Sequence, residues 1–151
     1  MDNRPVLLVD IDGTVADSTH RNHFLEVEHE SDVNWPAWER EGFKDTPIQQ
    51  IVELVRAMRA YGYRIVFLTS RNETCCRDTY EWLTAHNIAQ FGDLILTRKD
   101  GDLRPSPMVK RDHVRKLKEA GANLQLSLED HSGNVAMFRE EGIMTLHVAD
   151  Y

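Results

Sequence analysis

Pro5-Val6-Leu7-Leu8-Val9 runs without a break into Asp10-Ile11-Asp12-Gly13-Thr14. Five apolar or nearly apolar residues in a row predict a strand buried on both faces. Two carboxylates stand where that strand ends. In an open α/β sheet, ligands bind beyond the carboxyl ends of the strands, so the position itself suggests chemistry. Alternate residues of an extended chain point the same way, which lets Asp10 and Asp12 face one site. Gly13 permits a sharp turn, with backbone N–H groups expected to be free to meet an anion. An Asp-Gly pair is common in solvated turns. An acid directly after five buried positions, however, must be hydrated, paired or bound to a metal.

Outward from this stretch, strand and helix signals alternate. Residues 15–46 form a polar insertion containing Trp35 and Trp38, and an insertion of that length is read as a flap or minimal cap. Thr46-Pro47 reads as an N-cap and first-turn proline. Ile48, Ile51, Val52, Val55 and Met58 follow at helical spacing. Tyr63–Leu68 is a second strand ending in Thr69-Ser70-Arg71, and a helix is expected over Glu73–His86. Asp93–Leu96 is a third strand, Arg98–Pro107 a charged loop, and Val109–Ala120 a helix. Leu124–Leu128 is a fourth strand ending in Glu129-Asp130, Gly133–Glu141 a helix, and Ile143–Val148 a fifth strand. This alternation predicts one domain over residues 1–151. Its fold class is α/β: a three-layer, Rossmann-like, mostly parallel five-stranded sheet with helices on both faces.

The chain has 151 residues and a net charge of −7, with 41% hydrophobic and 28% charged residues, an ordinary globular composition. The acidic balance argues against non-specific coating of nucleic acid and leaves room for a local site that takes one nucleotide or one strand end. No apolar run reaches the roughly 20 residues needed to span a membrane. Met1-Asp2-Asn3-Arg4 is not followed by a charged-then-apolar leader, so a cytoplasmic protein with no membrane association is expected. The only two cysteines, Cys75 and Cys76, are adjacent and unsuited to a structural disulfide.

Polar groups therefore gather at three strand ends, with Lys110 on the helix after the charged loop. Acids on separate strand tips, with a hydroxyl, a lysine and an arginine, suit phosphoryl transfer. An all-oxygen donor set with few carboxylates suits Mg²⁺, and the cations would offset charge on the transferred group. Arg71, Arg98 and Arg104 are candidate substrate clamps, since a guanidinium meets phosphate as a fixed fork. His20, Arg21, Trp35 and Trp38 are candidate flap residues over the site. His131 is read as a helix-start residue or a partner of the neighbouring acids.

The order of these clusters resembles the haloacid dehalogenase superfamily of aspartate-nucleophile phosphatases. Asp10-Ile11-Asp12-Gly13-Thr14 matches its first motif, Phe67-Leu68-Thr69-Ser70-Arg71 its second, Lys110 its third and Leu128-Glu129-Asp130 its acidic fourth. Arg71, Arg98, Gly101-Asp102-Leu103-Arg104, Val109-Lys110 and the closing His147-Val148-Ala149-Asp150-Tyr151 are similar to the 3′-phosphatase domain of bacteriophage polynucleotide kinases. The chain has no GxxxxGK[ST] loop for the kinase part of those proteins, and its fourth motif is Glu-Asp rather than Asp-Asp.

The resemblance implies a nucleophilic Asp10 that forms an aspartyl-phosphate, and an Asp12 that protonates the leaving oxygen and then activates water. It implies Mg²⁺ held by Asp10, the Asp12 carbonyl and Asp130, with Glu129 behind them. Thr69 and Lys110 would contact the phosphoryl group, and Thr14, Ser70, Arg71, Arg98 and Arg104 would bind substrate. The expected activity is removal of a 3′-phosphate from a nucleic-acid end. A nucleotidase acting on free nucleoside monophosphates is the closest alternative, and a non-catalytic binding module on the same fold the alternative from another class. The partner set is a phosphorylated nucleic-acid end or nucleotide, with a homodimer and a separate kinase or ligase in the same pathway left open.

Overall fold

A computed structural model describes residues 3–149. Five parallel strands form one sheet: β1 (Pro5–Val9), β4 (Arg64–Asn72), β5 (Leu94–Arg98), β6 (Asn123–Glu129) and β7 (Met144–His147), in the spatial order β5-β4-β1-β6-β7. The chain first winds outward from β1 to β5, then returns to the other side of β1 for β6 and β7. That reversal leaves a crevice at the carboxyl end of β1, between the tips of β4 and β6.

The apolar run in β1 is explained by its central place. Val6, Leu7, Leu8 and Val9 are all buried, because helices cover both faces of the sheet. Leu7, Val9, Ile65 and Phe67 pack with Val52 and Val55 of α2 (Gln49–Ala60) and with Trp82 and Leu83 of α3 (Cys76–Ala85). Val6, Leu8, Val66 and Leu68 pack on the opposite face with Val114 of α4 (Ser106–Glu119) and with Met137 and Phe138 of α5 (Ser132–Glu140). Right-handed crossovers between parallel strands place the helices in these two layers.

Residues 15–46 hold little regular structure: α1 (Trp35–Arg40), three short 3-10 turns, and β2 (Ala16–Asp17), which pairs antiparallel with β3 (Thr46–Pro47). The last pairing corrects the helix-start reading of Thr46-Pro47. These residues close the two ends of the flap on each other, and α2 begins at Gln49, after Ile48. Proline suits this place because a two-residue ribbon makes few demands on its missing N–H. Helices α3 and α4 also differ at their starts: Glu73–Cys75 is a 3-10 turn, and α4 begins at Ser106 rather than Val109. Cys75 and Cys76 are free thiols. Among the described residues no helix is long and apolar enough to cross a membrane. Asp150-Tyr151, the end of the quoted resemblance, lies outside the described residues.

Phe67 lies on the helix-covered face of a central strand and is fully buried, whereas Phe91 is fully exposed. Phe67→Ala is expected to cost about 3–5 kcal/mol, and Phe91→Ala less than about 0.5 kcal/mol. Chemical denaturation measures both, and similar losses for the two would contradict this core.

Candidate active site

Three neighbouring parallel strands bring their tips to one edge: β1 delivers Asp10 and Asp12, β4 delivers Thr69 to Arg71, and β6 delivers Glu129 and Asp130. Lys110 arrives from the first half of α4. Its ammonium is buried, 2.6 Å from Asp10 Oδ1 and 2.7 Å from Glu129 Oε2. The other Asp10 oxygen accepts the Thr14 hydroxyl at 3.0 Å. The second Glu129 oxygen accepts the backbone N–H groups of Asp130 and His131, at 3.1 and 3.0 Å. Glu129 is thus a buried partner of Lys110 with both oxygens engaged.

Asp10, Glu129 and Asp130 each offer a carboxylate oxygen within 4.8 Å of the others. The crowding shows in their protonation. Burial, then Glu129, push the Asp10 carboxyl up to about 6 despite Lys110. Burial, then Asp10, push Asp130 up to about 9. Glu129 is opposed by burial, but Lys110 outweighs this and lowers it. Three carboxylates against one ammonium leave a surplus of negative charge that an oxygen-seeking cation would relieve, and the all-oxygen donor set fits Mg²⁺.

The backbone beneath this cluster is specific to glycine. Gly13 has φ +77°, and a Cβ built on it would lie 2.2 Å from Asp130 Oδ2. The missing side chain therefore admits both the turn and the close approach of Asp130. The turn also closes on itself: Gly13 N–H donates to Ala16 O at 2.8 Å and Thr14 N–H to Ile11 O at 3.1 Å. Those two groups are not free to meet an anion, contrary to the expectation from the Gly-Thr turn.

Asp12 occupies a different electrostatic setting, two residues away. Arg71 donates to it from Nη2 at 2.6 Å and from Nε at 3.0 Å, and Arg21 Nη2 donates at 2.6 Å. Burial would raise its carboxyl, but Arg71 and Arg21 outweigh burial and hold it below the usual carboxylate range. Both arginines also grip Asp45. Arg21 is fully buried, stacked 3.6 Å from the Trp38 ring centroid and donating to the Trp38 carbonyl. His20 meets Asp45 at 2.9 Å, and Trp82 Nε1 donates to the Asp45 carbonyl. The flap is thereby locked to the sheet edge that carries Asp12 through two arginines and two aspartates.

The remaining positions named from sequence divide in two. Thr69 is buried within β4, three residues before its end, and its hydroxyl accepts the Arg71 N–H. Ser70 and Ser106 share a hydroxyl contact at 2.5 Å. His131 is exposed and caps α5, its Nδ1 accepting the Asn134 N–H. Arg71, read as a substrate clamp, is buried on Asp12, Asp45 and Thr79. Arg98 is spent on main-chain carbonyls of Ser70, Asp102 and Arg104, which tie the charged loop down. Arg104 is half-exposed and paired with Asp102 and Asp112. Trp38 is buried, while Trp35 is exposed and stands edge-on to it at 5.8 Å.

Asp45 went unremarked in sequence. It sits at the flap's end with neither motif nor period to mark it, and only the folded contacts reveal it. Removing its charge leaves Arg21 and Arg71 to share Asp12 in a buried place. Asp45→Ala is expected to destabilise the fold by about 3–5 kcal/mol in chemical denaturation. A loss below about 1 kcal/mol would contradict the network.

Comparison with curated protein sequences gives no match. Among solved structures, the chain in the Pnkp1/Rnl/Hen1 complex superposes with a TM-score of 0.76 at 19% identity, covering 100% of this chain and 48% of that one. This chain therefore spans about half the length of that relative. A class C acid phosphatase from Bacillus anthracis, solved with tungstate bound, gives 0.67 at 15% identity, covering 89% of this chain and 54% of that one. A haloacid dehalogenase-like hydrolase from Streptococcus pneumoniae gives 0.67 at 15% identity, covering 95% and 83%. These likenesses share the fold. The family model of the polynucleotide kinase PNKP phosphatase domain matches residues 4–151. With that match across nearly its whole length, the chain belongs to the polynucleotide kinase phosphatase-domain family, phosphatases of the haloacid dehalogenase superfamily.

Proposed function

We propose that the protein is a Mg²⁺-dependent phosphomonoesterase that removes the 3′-phosphate from nucleic-acid ends through an aspartyl-phosphate on Asp10. One observation carries the chemistry: Asp10 and Asp12 lie on one edge in opposite electrostatic settings. Pairs of acids held apart in this way mark distinct roles. Asp10 is approached by a single buried lysine and faces the acids of β6. Asp12 is held by two arginines beside it.

Asp10, the Asp12 carbonyl and Asp130 would hold the cation, and Glu129 would keep Lys110 charged and in place. A bound Mg²⁺ supplies charge that screens the approach of a phosphate dianion to a carboxylate. An Asp10 oxygen attacks phosphorus while the bond from phosphorus to the sugar 3′-oxygen breaks. The leaving oxygen takes a proton from Asp12 and departs as a 3′-hydroxyl. Water then attacks the aspartyl-phosphate, Asp12 takes its proton, and inorganic phosphate leaves with Asp10 restored.

In the substrate-free arrangement Asp12 is held ionised, the form suited to activating water. Donating a proton requires Arg21 and Arg71 to loosen their hold. An arriving phosphate does this physically, because its negative charge attracts both arginines and raises the Asp12 carboxyl by like-charge repulsion. Thr69 and Lys110 line the same edge and would contact the phosphoryl oxygens.

The family supports a polynucleotide end as substrate. A second reading, a nucleotidase acting on free nucleoside monophosphates, is favoured by one observation: Arg98, an expected clamp, is spent on three main-chain carbonyls within the chain. Comparison of 3′-phosphorylated oligonucleotides with mononucleotides decides between them. Two free thiols and the absence of a membrane-crossing helix among the described residues suit the cytoplasmic setting that we propose. The likeness to a chain of the Pnkp1/Rnl/Hen1 RNA repair complex supports a partner, such as a separate kinase or ligase, in the same pathway.

Asp10→Asn is expected to abolish phosphate release while leaving the melting temperature within a few degrees of wild type. Normal turnover by this variant would sink the mechanism. The raised Asp10 and Asp130 carboxyls give a second test. The folded, metal-free protein binds these protons more tightly than the unfolded chain does. Their contribution to stability is therefore full below about pH 4 and is lost as pH rises through about 6 and about 9. Mg²⁺ takes the place of the protons, so the melting-temperature gain on adding Mg²⁺ should grow with pH across that range. A pH-independent gain, or none, would count against a cation on these acids.

A further inference from the structure

We propose that the outer face of α4 is a strand-binding groove that takes the nucleotides upstream of the terminal phosphate in a single-stranded substrate. The proposal rests on the polynucleotide reading above and adds where the strand runs. A shallow groove of about 330 Å³ is lined by Arg104, Pro107, Met108, Arg111, Asp112 and Arg115. Three guanidiniums stand in this lining, each ion-paired with one or more of Asp102, Asp112, Glu140 and Glu141, and Pro107 with half-exposed Met108 gives it an apolar floor. Guanidiniums for phosphates beside apolar surface for bases is the pattern of single-strand binding.

The groove starts near the active site in the fold. It begins at Pro107, one helical turn before Lys110, which reaches Asp10 from the same helix. Ser106, next to Pro107, touches Ser70 at the tip of β4. From Pro107 to Arg115 the groove follows α4 for about 12 Å, enough for more than one phosphate. Its upper wall is the charged loop, fixed by Arg98 to three carbonyls. That rigid loop holds Leu103 almost fully exposed, an apolar side chain available to a base.

The opposite side of the site is hostile to a polyanion. The flap, which packs on α3 across the sheet from α4, exposes Glu26, Glu28, Glu30 and Asp32 in a segment with no lysine or arginine. Of these two segments, only α4 offers guanidiniums to a strand's phosphates. The arginines' present partners, Asp102, Asp112, Glu140 and Glu141, form solvent-exposed pairs. Such pairs are worth about 1 kcal/mol or less and yield to phosphate.

The test compares wild type with Arg111→Gln/Arg115→Gln on a short 3′-phosphorylated single strand and on a nucleoside 3′-monophosphate, across salt concentrations. The expected result is wild-type preference for the strand. In the double variant the ratio of the two kcat/KM values should fall about tenfold through KM. Its salt dependence on the strand should weaken by about 1.4 in log–log slope, about 0.7 per lost phosphate contact. An Arg→Lys pair should keep that slope. Should the double variant melt early, Met108→Glu places a negative charge in the same groove and should lower the same ratio. An unchanged ratio and slope, or equal losses on both substrates, overturns the groove and leaves the polynucleotide reading standing. Wild-type preference for the mononucleotide overturns that reading and the groove with it.

Discussion

A buried lysine between two buried acids holds this site together. Lys110 reaches from α4 to Asp10 on β1 and Glu129 on β6, with both distances below 2.8 Å. Removing Lys110 would strand the Asp10 and Glu129 carboxylates away from water, a penalty of several kcal/mol, whereas neutralising Asp10 alone leaves Lys110 paired with Glu129. The contact also joins the helix layer to the tips of two parallel strands. It fixes where the proposed nucleophile stands and leaves Asp130 facing the same space. Glu129, with its remaining oxygen on two backbone N–H groups, is the anchor for Lys110.

A second charged cluster governs the other acid. Arg21, Arg71, Asp12 and Asp45 balance one another at the seam between flap and sheet. Gly42 stands here as well, and a Cβ on it would lie 3.3 Å from the Arg71 guanidinium. The flap is thus part of the electrostatics of Asp12 as well as a cover. In the proposed cycle Asp12 changes protonation twice, and a phosphate arriving near its arginines is the event that permits the first change.

Much of this was legible in the sequence because the sheet is parallel and buried on both faces. The continuous apolar runs at Val6–Val9 and Ile65–Leu68, and the helical spacing from Ile51 to Met58, carry strand and helix without tertiary context. Acids at the ends of such runs mark a shared edge once the strand order is parallel. The flap was not legible in the same way. Its partners lie far apart in sequence, 24 residues for Arg21 with Asp45 and 59 for Arg71 with Asp12, and no period links them. Arg71 and Arg98 looked like surface clamps because a sequence does not show that carboxylates or carbonyls already wait for a guanidinium. Thr46-Pro47 carried a helix-start signal, yet the nearby Ala16–Asp17 edge offered pairing instead.

In the proposed cycle Asp10 carries the phosphoryl group. Rapid acid quench of the Mg²⁺-loaded enzyme during turnover of a 3′-phosphorylated oligonucleotide, followed by peptide mass spectrometry, examines that bond directly. A phosphoryl adduct on Asp10, forming and decaying at rates that sustain turnover, is the expected result. Steady turnover with no adduct, or with the adduct on another residue, would contradict the account.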